Sequence, residues 1–195
     1  MSYLEERILK DGVIFPNNVL KIDSFLNQQI DPKVMREIVQ EIYEYYKDEK
    51  ITKVLTIEAS GIAPAIMVAA QFDVPMLFAK KAKAATLQKD QVYETKVYSY
   101  TKGTTSNVVV SKQYLQGDDR VLIIDDFLAN GEAALGLMDL VDQAGAQVVG
   151  LGICVEKSFQ KGRKRLDDTG VKVYSMVRIA EINSDRQEII FAQGH

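Results

Sequence analysis

The chain has 195 residues, 47% of them hydrophobic and 26% charged, and a formal net charge of −3. This length favours one globular domain with a core of its own, and the acidic balance gives no general electrostatic reason to bind nucleic acid. The first ten residues lack the apolar region of a signal peptide, and no apolar run is long enough to cross a bilayer, so we expect neither secretion nor membrane association.

The single cysteine, Cys154, lies within an aliphatic run. We expect it to be a buried core residue rather than a nucleophile, because such surroundings disfavour a thiolate. With one cysteine the chain cannot form an internal disulfide, which fits a reducing, cytoplasmic setting.

The N-terminal part of the chain predicts a helix, a hairpin and a second helix. Residues 4–9 have helical apolar spacing, and strands at 13–15 and 19–22 flank a Pro-Asn-Asn turn. Asp31, followed by proline, predicts the start of the second helix. The intervening segment, 20–27, mixes polar and apolar residues, and its own pattern favours a plain connector.

A second strand, at 53–57, runs into the small-residue segment Glu58-Ala59-Ser60-Gly61 and then an apolar helix at 62–72. Small residues after a strand let backbone amides approach an anion closely. The next strand, 75–79, ends in Lys80 and Lys81, which would supply positive charge beside such an anion. The alternatives are a solvated strand end for the lysines and a helix-terminus charge for Glu58.

Residues 82–105 are polar with scattered tyrosines. Alternation at 92–100 and 107–111 predicts an extended two-stranded excursion around Gly103. Excursions of this length are typical of lids, and Lys89, Lys96 and Lys102 suit a diphosphate. The alternative is a rigid hairpin that completes the sheet.

Residues 121–140 predict a strand, a loop at 127–133 and a helix, with Asp125 and Asp126 directly after the strand's aliphatic residues. Ligands collect at the carboxyl ends of parallel strands, and the first N–H groups of a helix favour phosphate. Carboxylates accept hydrogen bonds from sugar hydroxyls, so the stretch suits a phosphorylated ribose. The alternative is an ordinary loop that caps a helix.

The strand at 147–155 is followed by Lys157 and Phe159, a cation and an aromatic ring that suit a planar, oxygen-bearing base. The alternative is a surface lysine beside a core phenylalanine. The basic run at 161–165 favours a solvated helix face, and strands at 171–179 and 188–191 are expected to close the fold. Dinucleotide, P-loop and zinc motifs are absent from the sequence.

The stretch VLIIDDFLANGEA resembles the phosphoribosyl-diphosphate signature of type I phosphoribosyltransferases, which has aliphatics, two acids, a loop ending in Thr-Gly, and a helix. Asn130 stands where the family usually has Thr, and Glu132 and Ala133 replace a common Gly-Thr, so more of the phosphate binding falls on backbone amides. TIEASGIAPAIM resembles the diphosphate loop of adenine phosphoribosyltransferases, with Ser60 in place of Arg. VLKIDSFLNQQIDP and GICVEKSFQKGR extend the resemblance over nearly the whole chain, most nearly to bacterial members that use xanthine.

The resemblance implies an α/β fold, the type I phosphoribosyltransferase fold, with a parallel sheet flanked by helices, a small N/C-terminal hood and a mobile hairpin loop. It also implies a single phosphoribosyltransferase domain, 1–195, in which 1–31 and 156–195 contribute the hood that binds the base.

The activity implied is transfer of the 5-phosphoribosyl group from 5-phosphoribosyl 1-diphosphate to xanthine, giving xanthosine 5′-monophosphate and diphosphate in purine salvage. Such enzymes are typically cytoplasmic homodimers that use Mg²⁺. One alternative is a guanine- or hypoxanthine-preferring enzyme. The other is a regulator of purine genes that senses phosphoribosyl diphosphate, but residues 1–31 are short for the DNA-binding domain that such regulators carry.

Roles follow from the resemblance by position. Catalysis is expected to involve Asp125, Asp126, Lys80 and Lys81. Phosphoribosyl diphosphate is expected to be bound by Glu58, Ala59, Ser60 and Gly61 and by Ala129, Asn130, Gly131, Glu132 and Ala133. The base is expected to contact Leu20, Asn27, Lys157 and Phe159. No direct metal ligand is expected, because the substrate would hold Mg²⁺, with Asp125 and Asp126 reaching it through water.

Overall fold

The computed structural model describes residues 1–82, 89–100 and 103–193. In chain order its helices and strands are α1 (Tyr3–Asp11), β1 (Val13–Phe15), β2 (Val19–Lys21), α2 (Pro32–Tyr46), β3 (Lys53–Ile57), α3 (Ile62–Phe72), β4 (Met76–Ala82), β5 (Val92–Ser99), β6 (Thr104–Ser111), β7 (Arg120–Leu128), α4 (Glu132–Gln143), β8 (Gln147–Lys157), α5 (Gly162–Asp167), β9 (Val173–Asn183) and β10 (Glu188–Phe191).

The main sheet has the strand order β10-β9-β8-β7-β3-β4-β6-β5. Its centre, from β9 to β4, is parallel, whereas β10 at one edge and the β5–β6 hairpin at the other are antiparallel. Parallel strands need crossover connections, and α3 and α4 supply them. The predicted parallel sheet flanked by helices is therefore confirmed.

Two hydrophobic cores lie on opposite faces of the sheet. Strand β7 serves both, because neighbouring side chains of a strand point to opposite faces. Leu122 and Ile124 pack into the core beneath α1, α2 and α3. Val121 and Ile123 pack into the core beneath α4. A strand buried on both faces reads as a continuous aliphatic run, which is why the sequence predicts this strand so clearly.

Helix α2 begins as predicted. The Asp31 side chain accepts a hydrogen bond from the amide of Lys33 at 2.8 Å, and Pro32 occupies the first helical position. At the other end Tyr46 is fully buried, and its hydroxyl donates to the carbonyl of Leu151 at 2.8 Å. The helix is thus capped at its N-terminus and fixed to β8 at its C-terminus.

The segment before α2 is more structured than its pattern predicts. Residues 23–27 form a short π-helical turn that buries Phe25 and Leu26. The connector interpretation is therefore wrong, because two apolar side chains drive the turn into the core and leave Asn27 facing the sheet edge. The Arg7 guanidinium lies over the Phe25 ring and pairs with Asp31, which ties the turn to α1.

The β1–β2 hairpin contacts the turn between β9 and β10. Strands β1 and β2 form a small antiparallel hairpin, and the Asn18 side chain accepts from the amide of Ser184, beyond β9. The Gln187 side chain lies within hydrogen-bonding distance of the Ile14 carbonyl, at 3.4 Å. No helix within the described ranges is long and apolar enough to cross a membrane.

Several strands extend beyond their predicted ends. Lys80 and Lys81 lie inside β4, Asp125 and Asp126 lie inside β7, and Lys157 is the last residue of β8. Leu128 still pairs with Glu156 across the β7–β8 ladder. The sequence misses these extensions because ladder hydrogen bonds are made by the backbone, which continues past the last aliphatic side chain.

Candidate active site

The carboxyl ends of β3 and β7 meet at one edge of the sheet and open into two adjoining cavities. The larger, of about 330 Å³, is lined by Ile57, Glu58, Ser60, Lys81, Val97, Tyr98, Ser99, Ser106, Asp125, Asp126 and Ala133. The smaller, of about 150 Å³, is lined by Tyr98, Tyr100, Asp125 and the residues from Phe127 to Ala134. Asp125, Tyr98 and Ala133 line both. The acids and the two predicted phosphate loops therefore share one site.

The loop from Ala129 to Gly131 leads into α4 and lines the smaller cavity. Gly131 caps the helix in the left-handed conformation, with φ of 84°, and contributes no side-chain acceptor. The first amides of α4 consequently have no intrahelical partner and remain available to an anion. This is the arrangement that the sequence predicts for a phosphate.

The acidic pair is buried, with Asp125 and Asp126 each 6% exposed. Asp125 Oδ1 accepts from the amide of Asp126 at 2.9 Å, and Asp126 Oδ2 accepts from Asn27 Nδ2 at 3.1 Å. Burial and the neighbouring Asp126 carboxylate raise the pKa of Asp125 well above its ordinary value. The two acids are therefore coupled to each other, and the side-chain amide of Asn27 orients Asp126.

The loop after β3 passes close to this pair. A Cβ atom on Gly61 would lie 2.1 Å from Thr56 Oγ1 and 3.3 Å from Asp125 Oδ1, so only glycine lets the backbone pass there. Glu58 Oε1 accepts from the amide of Lys81 at 2.6 Å, and the peptide bond between Glu58 and Ala59 is cis.

The structure separates the two lysines of β4. Lys81 lines the larger cavity, whereas Lys80 lines neither cavity and its Nζ lies 5.6 Å from the centroid of the Phe78 ring. Adjacent strand residues point to opposite faces, so both ammonium groups cannot enter one site. Of the two lysines predicted to take part in catalysis, Lys81 is therefore the one that lines the cavity containing the acidic pair.

The four residues predicted to bind the base are placed differently from one another. Lys157 is partly buried, its Nζ lies 5.3 Å from the Phe127 ring centroid, and burial lowers its pKa. Leu20 is buried in the core beneath α1, whereas Phe159 is 44% exposed, and neither lines the two cavities. Asn27 reaches the site through its hydrogen bond to Asp126.

Sequence reasoning missed two arginines of the basic run. Arg163 Nη1 pairs with the fully buried Glu156 at 2.8 Å, and Arg165 Nη1 donates to the carbonyl of Asn130 at 2.6 Å. The solvated-face interpretation is wrong for these two and holds for Lys164, whose side chain is 80% exposed and pairs with Asp168. Spacing around the helix distinguishes Lys164 from Arg163 and Arg165, but the partners of the two arginines lie outside the basic run and cannot be identified from it.

Glu156, at the end of β8, is the second group that the sequence did not single out. Burial alone would raise the pKa of this carboxyl, but hydrogen bonds from Ser158 and Ser175, together with Arg163 and Arg178, outweigh burial and lower it. Glu156 thus stays ionised beneath the strand end that carries Lys157.

The oxygen donors at the site suit a hard cation. Asp125, Asp126 and Glu58 offer carboxylate oxygens at the larger cavity, and Mg²⁺ prefers oxygen ligands and retains water. Among residues 1–82, 89–100 and 103–193, no group of three or more His, Cys, Asp or Glu is arranged to hold a metal ion. The carboxylate oxygens at the larger cavity are thus of the kind that Mg²⁺ prefers.

Comparison with known proteins agrees with this geometry. The family model described as "Phosphoribosyl transferase domain" matches residues 21–187. Xanthine phosphoribosyltransferase of Macrococcus caseolyticus (strain JCSC5402) is 58% identical over 97% of this chain and 97% of its own. The Staphylococcus aureus (strain JH9) protein of the same name is 53% identical over 97% and 98%.

Solved structures give the same fold. Adenine phosphoribosyltransferase from Rhodothermus marinus superposes with a TM-score of 0.72 at 26% identity, covering 90% of this chain and 98% of that one. The Giardia lamblia enzyme complexed with 9-deazaadenine has a TM-score of 0.74 at 23% identity, covering 91% and 98%, and supports the fold alone. With its acid pair and phosphate loop at the ends of parallel strands, this chain belongs to the phosphoribosyltransferase family and has the type I fold.

Proposed function

We propose that this chain transfers the 5-phosphoribosyl group from 5-phosphoribosyl 1-diphosphate to xanthine, giving xanthosine 5′-monophosphate and diphosphate in purine salvage. The observation that carries the proposal is the identity of 58% and 53%, over nearly whole chains, to relatives named xanthine phosphoribosyltransferase. The cavities at the sheet edge support it, since they combine carboxylates with a helix start.

The substrate is proposed to lie across both cavities. The amides at Ala129–Ala133 would bind the 5′-phosphate, because they lie at a helix start capped by glycine. Asp125 and Asp126 would accept hydrogen bonds from the ribose hydroxyls. The loop from Glu58 to Gly61 would receive the diphosphate, with Lys81 beside it in the larger cavity.

The chemical step is proposed to break the bond between the anomeric carbon and the diphosphate oxygen, with the electron pair leaving on the diphosphate. That carbon forms a new bond to a nitrogen of xanthine, and the proton of that nitrogen is released to water. The transition state is expected to resemble an oxocarbenium ion. The acidic pair would stabilise the positive ring, and Lys81 and loop amides would stabilise the leaving diphosphate. Mg²⁺, when bound through substrate oxygens, would neutralise further diphosphate charge.

The base is proposed to be recognised by Lys157 and Asn27, with Leu20 and Phe159 completing its surroundings. Lys157 is partly buried and forms none of the ion pairs found within the described ranges. A desolvated ammonium without a carboxylate favours an oxygen acceptor, which xanthine offers at an exocyclic position. The hydrogen bond from Asn27 to Asp126 connects the proposed base site to the proposed ribose site.

We further propose a homodimer in the cytoplasm. Helix α3 has no charged residue, and Ile66 and Met67 on it are 49% and 38% exposed, a surface that suits a second copy.

The buried thiol of Cys154, the single cysteine, supports a reducing compartment. Contacts of Asn18 with Ser184 support one domain in which residues 1–31 and 156–195 form the hood over the base.

The test is an assay of diphosphate release with 5-phosphoribosyl 1-diphosphate, Mg²⁺ and a panel of xanthine, hypoxanthine, guanine and adenine. We expect the highest kcat/KM with xanthine. A higher kcat/KM with guanine or hypoxanthine would replace xanthine as the substrate, and release with none of the four would contradict the proposed activity. Omitting Mg²⁺ should abolish most turnover.

A further inference from the structure

Helix α5 bridges the two halves of the site. On one side Arg163 pairs with Glu156 at the end of β8. On the other side the Gly162 amide donates to the carbonyl of Ala129 at 2.9 Å, and Arg165 Nη1 donates to that of Asn130 at 2.6 Å. The loop proposed to hold the 5′-phosphate is therefore fastened through its outward-facing carbonyls, which leaves its amides free.

The guanidinium of Arg165 also neutralises the charge of Glu132. Arg165 Nη1 lies 2.5 Å from Glu132 Oε1, and Glu132 is the first residue of α4. A carboxylate in the first turn of a helix competes with an incoming phosphate for the same partial positive charge. Arg165 counters that competition and holds the Glu132 side chain to one side.

Gly162 allows α5 to pack closely against the loop from Ala129 to Gly131. A Cβ atom at Gly162 would lie 2.4 Å from the Ala129 carbonyl and 3.0 Å from the Gly131 amide, and one at Gly131 would lie 3.1 Å from Gly162 Cα. Two backbone segments thus pack without side chains between them. Arg165, one turn further along α5, is the side chain that secures this packing.

We propose that Arg165 is a positioning residue of the 5′-phosphate site, which fixes the Asn130 carbonyl and neutralises Glu132 so that the loop amides stay directed at the phosphate. The inference rests on the proposed function only in taking this loop as the phosphate site. Arg165 touches no reacting atom and acts through the loop.

The experiment uses the full chain and the probe ribose 5-phosphate, which carries the 5′-phosphate but neither the diphosphate nor the base. Its Kd is measured by calorimetry for the wild type, Arg165→Met, Arg165→Lys and Glu132→Gln/Arg165→Met. Lys164→Met is the matched control, since Lys164 is the adjacent cation on the same helix and its side chain is 80% exposed. The Michaelis constant for each substrate, kcat and Tm are measured alongside.

Arg165→Met should weaken binding of ribose 5-phosphate by about tenfold, the typical effect of losing one charge-assisted contact, and should raise KM for the phosphoribosyl donor by a similar factor. KM for xanthine should change less than about twofold, because the contacts of Arg165 are with Asn130 and Glu132 rather than with Asn27 or Lys157. Arg165→Lys should recover part of the binding by restoring the charge. The double variant should also recover part, because it removes the uncompensated carboxylate.

A Kd for Arg165→Met within twofold of the wild type would overturn the proposal, as would an equal change in Lys164→Met. If Arg165→Met failed to fold, a wild-type Kd in both Arg165→Lys and the double variant would overturn it equally. Turnover of xanthine with unchanged phosphate binding would reject the role of Arg165 and leave the function intact. Weakened phosphate binding without turnover of any purine would support the role of Arg165 and reject the function.

Discussion

At the scale of single residues, the doubled acid is the feature whose chemistry is most readily tested. Asp126→Asn keeps the size of the side chain but removes its charge, so it should lower kcat/KM by on the order of a hundredfold, as loss of one transition-state contact does. Tm should change by only a few degrees, because Asn27 can reorient its amide toward the new side chain. Steady-state kinetics and thermal unfolding check both outcomes.

Asp139→Asn is the control for this substitution, since Asp139 is an exposed acid of α4 and should tolerate the change. Asp125→Asn should impair turnover as Asp126→Asn does. Near wild-type kcat/KM in both motif variants would require a structural interpretation of the pair.

Choice of base is predicted to depend on Asn27. Xanthine differs from hypoxanthine by an oxygen at C2, so a site built to hydrogen-bond that oxygen should reject a purine that leaves its donors unpaired. Asn27→Ala should therefore narrow the ratio of kcat/KM for xanthine to that for hypoxanthine by about tenfold. Gln28→Ala, at an exposed neighbouring position, is the control. An unchanged ratio would leave residues 23–27 with a purely structural role.

The protonated side chain of Lys157 is expected to lower the folding stability of the chain when no ligand is bound. Burial lowers its pKa from the ordinary value of 10.5, so the protonated form is less favourable in the folded chain than in the unfolded chain. The unfolded state then binds more protons, and stability rises with pH through the lowered pKa. Lys157→Met should raise Tm at pH 7 by roughly 2 °C or more, while turnover of xanthine falls.

The difference in Tm between Lys157→Met and the wild type should shrink as the pH rises through the lowered pKa, because the wild type then loses the unfavourable charge. Lys161→Met, at an exposed position next to α5, should leave Tm unchanged. A lower Tm for Lys157→Met at pH 7 would show that the ammonium is already compensated in the free chain.

At the scale of elements, the β5–β6 hairpin is predicted to close over the bound substrate. The predicted segment, 82–105, includes 83–88 and Lys102, which lie outside the described residues, as does the side chain of Lys89. The described part packs firmly at its base, where Gln143 of α4 donates to the Glu94 carbonyl and a Cβ atom on Gly136 would lie 2.6 Å from Val97. Tyr98, further along, lines both cavities.

Hydrogen exchange is therefore expected to show protection of the distal hairpin, at 98–99 and 104–105, only when a substrate analogue and Mg²⁺ are bound. Closure would exclude water from an oxocarbenium-like transition state. The amides of β8 should be protected in both conditions and serve as the internal reference. Equal protection of the distal hairpin with and without ligand would identify it as a rigid part of the sheet.

Sequence periodicity was sufficient for the elements that repeat a pattern. It predicted the central strand, α4 and α2, the last with its Asp31 cap. The small residues after β3 predicted the loop there. The predictions that failed depend on distant partners. The turn at 23–27 forms because Phe25 and Leu26 reach the core, and Arg165 is held by Asn130 and Glu132, which are far from it in the sequence. Spacing along the chain carries no information about such partners.

At the scale of the whole molecule, the predicted homodimer is tested through α3. Light scattering should give about twice the chain mass of 21.8 kDa, and Ile66→Glu/Met67→Glu should shift the protein to monomer, because two buried charges would oppose association. Leu9→Glu alters another exposed apolar residue, on α1, and should remain dimeric. A wild type that is monomeric at micromolar concentration would contradict the dimer.

The alternation of β7 between two cores also limits where the chain can gain or lose residues. Shifting β7 by one position would exchange Val121 and Ile123 with Leu122 and Ile124 between faces, and would turn both acids away from their present neighbours. An insertion within this strand would thus damage packing and chemistry together. The exposed residues at 116–118, just before β7, can absorb an added residue as a longer loop. Length variation in this molecule is accordingly expected before the strand, with the spacing from Arg120 to Gly131 kept constant.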